Sequence, residues 1–186
     1  MATRTLRIAG GMARGVPLTF PKGVRLRPTS GQVREALFNV LEGQTVDARV
    51  LDLYAGTGGL GIEALSRGAV EVVFMDVSPR AADAILKNLS RVGMASRGRV
   101  MRGRLPASLK HIDGEFSLIF LDPPYEAAGA EETLASLAPL LADEGTVVYE
   151  HASRYNPPMR PNGLRLTMQR KYGDSGLAFY ESEEGQ

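Results

Sequence analysis

The tetrapeptide Asp122-Pro-Pro-Tyr125 closes the apolar run Phe-Ser-Leu-Ile-Phe-Leu at 116–121. Two consecutive prolines remove two backbone donors and stiffen the chain, so the Pro123 carbonyl is left to accept from an outside donor. Asp122 adds a second acceptor beside it, and Tyr125 adds an aromatic face. The set suits a planar heterocycle with an exocyclic NH2. The ring stacks on Tyr125 while the amine donates to Asp122 and to the Pro123 carbonyl. Such an amine is a poor nucleophile, because its lone pair is delocalised into the ring. Two acceptors can draw it toward tetrahedral geometry and hold it in line with an electrophilic carbon. The alkylated nitrogen is then cationic and acidic, and its proton can leave to solvent without Asp122 acting as general base. The plainer alternative is a rigid loop with Tyr125 as packing.

A second set lies upstream. Asp52-Leu-Tyr-Ala-Gly56-Thr-Gly58-Gly-Leu-Gly61 contains G-x-G-x-x-G, and Asp76 follows Gly56 by 20 residues. Glycines let backbone approach a ligand at the start of a helix, and a carboxylate at that later position can accept from both ribose hydroxyls. These features fit NAD and S-adenosylmethionine alike, and a simple tight turn would also produce them. Asp52 separates the two ligands. A carboxylate there repels a pyrophosphate and attracts an ammonium or sulfonium. Its alternative role is to cap the turn by accepting from backbone N–H groups.

These residues need a scaffold that brings them together. Strands are expected at Val50–Tyr54, Glu71–Met75, near Val100, at Phe116–Leu121 and at Thr146–Tyr149. Helices are expected from the glycine turn to about Arg67, from Ser78-Pro79 to about Arg91, and over Glu131–Leu141. Strands spaced by helices imply a parallel α/β sheet, with ligands at the C-terminal ends of its strands. Leu164–Arg170 and Leu177–Tyr180 flank the turn Tyr172-Gly-Asp-Ser175, a hairpin that puts an antiparallel strand at one edge. At the N-terminus, residues 6–18 read as a hairpin turning at Gly10-Gly11. Thr29 and Gln32 form a capping box for a helix whose apolar face is Val33, Leu37, Val40 and Leu41.

Composition bounds the rest. The chain has 186 residues, enough for one self-sufficient core. It has no cysteine, which excludes disulfides, thiolate zinc sites and cysteine nucleophiles. With two histidines, His111 and His151, no metal site is expected, and Glu150-His151 reads as a strand end. No run of 18 apolar residues and no leader pattern is seen, so a soluble, cytoplasmic chain is expected. The net charge of +1 hides an asymmetry. Residues 1–46 carry seven basic and two acidic side chains, net +5, whereas 47–186 carry net −4. A basic arm on a slightly acidic body suggests an anionic partner, nucleic acid above all, although a solvated surface would look the same.

Together these motifs resemble class I S-adenosylmethionine-dependent methyltransferases, and more narrowly the RsmD-type family, bacterial enzymes that methylate guanine N2 in small-subunit (16S) ribosomal RNA. The similarity runs through Arg27-Pro-Thr-Ser with Val33-Arg-Glu-Ala-Leu-Phe-Asn39, Asp52 to Gly68, Leu121 to Tyr125, Val148-Tyr-Glu-His151 and Lys171-Tyr-Gly-Asp-Ser175. The resemblance implies a Rossmann-like, seven-stranded, mostly parallel sheet with one antiparallel strand, occupying 47–186, and a hairpin-and-helix extension at 1–46. It implies that Asp52, Tyr54, Ala55, Gly56, Thr57, Gly58 and Gly61 line the cofactor. Asp76 and Val77 would hold its ribose end, with Arg104 and Leu105 at its adenine. Asp122 also borders the cofactor, and Arg27 and Thr29 reach it from the extension. Asp122, Pro123, Pro124 and Tyr125 hold the guanine. Arg4, Arg7, Arg14, Arg25, Arg27, Arg34 and Lys171 face RNA. A monomer acting on an assembled or partly assembled subunit is expected. The sequence departs from the family at Gly31-Gln32, which stand where Asp-Arg is usual, and at Arg104-Leu105, where a small polar or acidic residue followed by Ala is usual. An adenine-N6 nucleic-acid methyltransferase is the nearest alternative, and an NAD-dependent oxidoreductase a distant one.

Overall fold

The computed structural model describes residues 6–20, 31–124, 127 and 129–183. The expectations placed on Arg4, Arg25, Arg27, Thr29 and Tyr125 lie outside these residues. A short hairpin, β1 (Leu6–Arg7) and β2 (Pro17–Leu18), precedes α1 (Gly31–Val40). The main sheet is built from β3 (Arg49–Leu53), β4 (Glu71–Asp76), β5 (Gly98–Arg102), β6 (Phe116–Leu121), β7 (Leu141–Ala152), β8 (Leu164–Tyr172) and β9 (Ser175–Ser182). Its order is β5-β4-β3-β6-β7-β9-β8. Helices α2 (Gly59–Ser66) and α3 (Pro79–Arg91) follow β3 and β4, and α4 (Ala130–Leu134) follows β6.

The chain steps outward from β3 to β5, then returns to lay β6 on the other side of β3. That reversal opens a crevice at the C-terminal ends of β3 and β6, where ligands of such sheets bind. Asp52 and Asp122 come from these two strand ends. The closing hairpin differs from expectation in one respect. The antiparallel strand is not at the edge: β9 is inserted beside β7, and β8 forms the edge. Both arrangements satisfy the turn signal, and only the pairing with β7 chooses between them.

The sheet carries one core on each face. Val50, Ile62, Phe74, Ile85 and Phe120 pack with Leu37 and Phe38 of α1 on one side. Leu51, Met75, Ile119, Leu134 and Tyr149 pack on the other. The helix expected over Glu131–Leu141 is cut short. α4 spans Ala130–Leu134, a 3-10 turn takes Ala138–Leu140, and β7 starts at Leu141; Pro139, which has no N–H to donate, bars a helix from running on to Leu141. On α1 the buried face is Val33, Arg34, Leu37 and Phe38, while Val40 is only half-buried.

The N-terminal hairpin is also wider than a two-residue turn at Gly10-Gly11. Its loop runs along α2, with Ala9 and Gly10 N–H groups donating to Glu63 and the Ala13 N–H to Ser66 Oγ at 2.9 Å. Leu6, Ile8, Ala13 and Leu18 belong to the same core cluster as α1 and the sheet. Among the described residues, no helix is long and apolar enough to cross a membrane.

Candidate functional site

Asp52, Asp76 and Asp122 lie at the C-terminal ends of β3, β4 and β6: Asp52 pairs with Phe74 and Phe120, so Asp76 and Asp122 follow two residues further along on the same side of the alternation. Asp52 is buried, and its Oδ2 accepts the Gly61 N–H at 2.9 Å. The capping role is therefore realised. It engages one oxygen and leaves the charge uncompensated. Burial raises the Asp52 carboxyl to about 8, the Gly61 hydrogen bond opposes the rise, and the nearby Asp76 charge adds to it. Such a group favours a cation placed beside it.

Asp76 is oriented by two backbone donors. Gly56 N–H reaches Oδ2 at 2.9 Å and Ser78 N–H reaches Oδ1 at 2.8 Å. A carboxylate oxygen has two acceptor directions, so both oxygens can still accept from vicinal hydroxyls. Val77, 59% exposed, gives an apolar surface next to it. Ala55 and Thr57 are buried within the turn, where Ala55 N–H donates to the Met75 carbonyl. Tyr54 and Gly56 adopt φ near +57°, and Gly58 caps α2 at φ 76° with no side-chain cap. Gly61 serves packing: a Cβ there would lie 2.3 Å from the Phe74 ring. After β5 the chain comes back over the end of β4, with Gly103 N–H on the Asp76 carbonyl. Arg104 is exposed there, and Leu105 packs against the second core cluster.

Beyond β6, Asp122 is half-buried, Pro123 buried and Pro124 exposed. Pro123 and Pro124 border a cleft of about 560 Å³ whose other walls come from the start of α4 and the end of β7. Tyr149, His151 and Tyr155 form an aromatic cluster there, with ring centroids 5.5–6.2 Å apart.

The basic residues divide. Arg7 and Arg14 are exposed on the hairpin, and Lys171 is exposed on edge strand β8. Arg14 sits near the loop that meets Ser66, at the end of α2 remote from the glycine turn. Arg34 is corrected: it is 2% exposed, donates to the Arg7 carbonyl and faces Glu63, so its guanidinium is internal rather than presented to RNA.

Three residues that sequence reasoning passed over hold the site. Glu63 anchors the hairpin. Asn88, fully buried, donates to the Thr19 and Thr57 carbonyls and so ties the N-terminal segment to the glycine turn. Thr133 meets the Tyr54 hydroxyl at 3.3 Å and links that turn to α4. Only the polar character of Asn88 and Glu63 on otherwise apolar helix faces could have flagged them.

The family model described as conserved hypothetical protein 95 matches residues 6–181. The chain belongs to this family. It is 34% identical over 180 residues to "Ribosomal RNA small subunit methyltransferase D" of Escherichia coli strain K12, covering 96% of this chain and 90% of that protein. It is 35% identical over 182 residues to "Putative rRNA methyltransferase YlbH" of Bacillus subtilis, covering 95% and 98%. The Escherichia coli structure "Putative methyltransferase yhhF" superposes with a TM-score of 0.86 at 34% identity, over 98% of this chain and 100% of that one. Like its family, the chain is an S-adenosylmethionine-dependent methyltransferase of Rossmann-like fold. The residues fit that cofactor: the buried Asp52 carboxyl, raised by burial, would be matched by a cationic group, and Asp76 is oriented by two backbone N–H groups with acceptor capacity left for a diol.

Proposed function

We propose that this chain methylates the exocyclic N2 of a guanine in small-subunit (16S) ribosomal RNA, as a cytoplasmic enzyme acting on an assembled or partly assembled subunit. The observation that carries the reading is the position of Asp122-Pro123 at the switch point, one strand from Asp52 and its glycine turn. The names of the relatives support the RNA class.

Asp52 and the turn through Gly61 hold the methionine end of the cofactor, and Asp76 with Val77 holds its ribose. S-adenosylmethionine held there would supply an electrophilic methyl group with a neutral thioether as its leaving group. Asp122 and the Pro123 carbonyl each accept one N2 hydrogen and aim the nitrogen lone pair. Tyr125 stacks on the base. The extra proton then leaves the cationic nitrogen to solvent. Guanine presents N1–H and N2–H as adjacent donors whereas adenine N1 is an acceptor, so a site lined by acceptors favours guanine. Arg7 and Lys171 remain candidates to touch RNA phosphates, together with Arg4, Arg25 and Arg27 of the extension.

Asp122→Ala is expected to lower methyl transfer to small subunits by about a hundredfold or more, on the scale of losing one preorganised polar group at a reacting centre. Its dissociation constant for S-adenosylmethionine should stay within a few fold of wild type. Full activity in that variant would remove Asp122 from the mechanism.

A further inference from the structure

We propose that the cleft beside Pro123 receives the guanine ring and that Glu131, steadied by Tyr155, is its specificity-determining residue, accepting the guanine N1–H. The proposal rests on the guanine-N2 reading above and extends it to residues outside the Asp-Pro-Pro-Tyr motif.

Placement comes from the sheet. Leu121 pairs with Tyr149 in the parallel β6–β7 ladder, so two residues further on Pro123 and His151 are neighbours on adjacent chains. Adjacent strands lie about 4.8 Å apart, which is within reach of one purine edge. The same cleft is bordered by Glu131, Tyr149 and Tyr155. A ring entering it meets aromatic walls, as an unstacked base requires.

The polar groups at the cleft are mostly acceptors. Glu131 and Glu132 are exposed carboxylates at the start of α4. His151 places Nδ1 2.8 Å from the Ala152 carbonyl, which fixes the N–H there and leaves Nε2 as a lone-pair acceptor. That Nε2 is buried and has no hydrogen-bond partner among the described residues. Burial also lowers the His151 pKa, which keeps the ring neutral. Arg154 is the cleft's cation. A lining of this kind disfavours phosphate and favours an edge rich in N–H donors.

Guanine presents three such hydrogens on its Watson–Crick edge. Asp122 and the Pro123 carbonyl take the two on N2, and N1–H needs a third acceptor. Glu131 is the exposed carboxylate of the cleft that a neighbouring side chain steadies, the Tyr155 hydroxyl donating to its Oε1, whereas Glu150 is buried and accepts from Ser175. Both burial and this hydrogen bond push the Tyr155 hydroxyl above its ordinary range, so it stays a donor. Oε2 can then meet N1–H. A purine with a lone pair at N1 would place that lone pair against the carboxylate.

The test uses small-subunit RNA rebuilt with either guanosine or 2,6-diaminopurine at the modified position and assembled into subunits. Diaminopurine keeps the 2-amine and replaces N1–H by a lone pair. Wild type should prefer guanosine by about tenfold or more in kcat/KM, the usual value of one well-placed base contact. Glu131→Gln should lose most of this preference, chiefly through slower guanosine turnover. Tyr155→Phe should lose part of it. Both variants should bind S-adenosylmethionine and melt like wild type, which separates reading the base from holding the fold. If Glu131→Gln keeps the wild-type preference, Glu131 does not read N1–H and the proposal is overturned. If wild type makes no N2-methylguanosine in the guanosine subunits, the guanine-N2 reading itself fails, and this proposal falls with it.

Discussion

Asp52 carries two duties that pull against each other. Its carboxyl caps the turn through Gly61, and its burial in a site awaiting a cation makes the ionised form costly. The folded protein therefore keeps the Asp52 proton up to about pH 8, whereas an unfolded chain loses it near the ordinary aspartate value of 3.8. For an acid raised in this way, stability falls as pH rises between those two values. A cationic ligand reverses the preference, so binding at neutral pH releases a proton and affinity for S-adenosylmethionine rises with pH toward about 8. Asp52→Asn keeps an acceptor for the Gly61 N–H and removes the charge. The ligand-free variant should melt above wild type at alkaline pH and lose the pH slope in that window. Its affinity for S-adenosylmethionine should fall by about tenfold or more, the worth of a charge-assisted hydrogen bond. Melting curves and calorimetry across pH 5–9 check both, and an unchanged slope with unchanged affinity would contradict this account of Asp52.

At the scale of elements, the N-terminal hairpin is a fixed part of the first core rather than a loose arm. Glu63, fully buried on α2, accepts from two hairpin N–H groups and from Arg67 Nε at 2.9 Å, and stands 3.6 Å from Arg34 Nε. Glu63→Ala leaves the Ala9 and Gly10 N–H groups and Arg67 Nε without their acceptor and the Arg34 guanidinium without its counter-charge. Breaking a buried charged network in this way costs about 3–5 kcal/mol, or roughly 10 °C in Tm for a chain of this size. Urea unfolding would show it, and a loss below about 1 kcal/mol would mean that the hairpin docks by apolar contact alone. This link could not be read from the sequence, because the partners stand more than 50 residues apart. The elements with one strong local signal were legible: the apolar strands β3, β4 and β6, and α3 with Ser78 capping it at Ala81. The two misread elements differ in kind: a distant partner, β7, placed β9 inside the sheet, whereas the limit on α4 is local, Pro139 barring a helix from running on to Leu141.

For the whole molecule, Asp52, Asp76 and Asp122, to which we assign the chemistry, were legible because each sits at a strand end, where alternation and turn residues fix the direction of a side chain. The cleft on the β7 side was not, because Glu131, His151 and Tyr155 meet only once β6 and β7 are paired. The charge asymmetry survives in altered form. Arg34 turns inward to Glu63, while Arg7 and Arg14 stay exposed on the hairpin and Lys171 on the edge strand β8. A domain this small offers little surface for reading a sequence, which favours recognition of a folded, partly assembled RNA. The most direct measurement is transfer of labelled methyl from S-adenosylmethionine to small subunits taken from cells that lack this enzyme, with the modified nucleoside identified by mass spectrometry. The account predicts N2-methylguanosine, in small-subunit RNA, at a single position. Label in N6-methyladenosine, in large-subunit RNA, or in no RNA at all would contradict it.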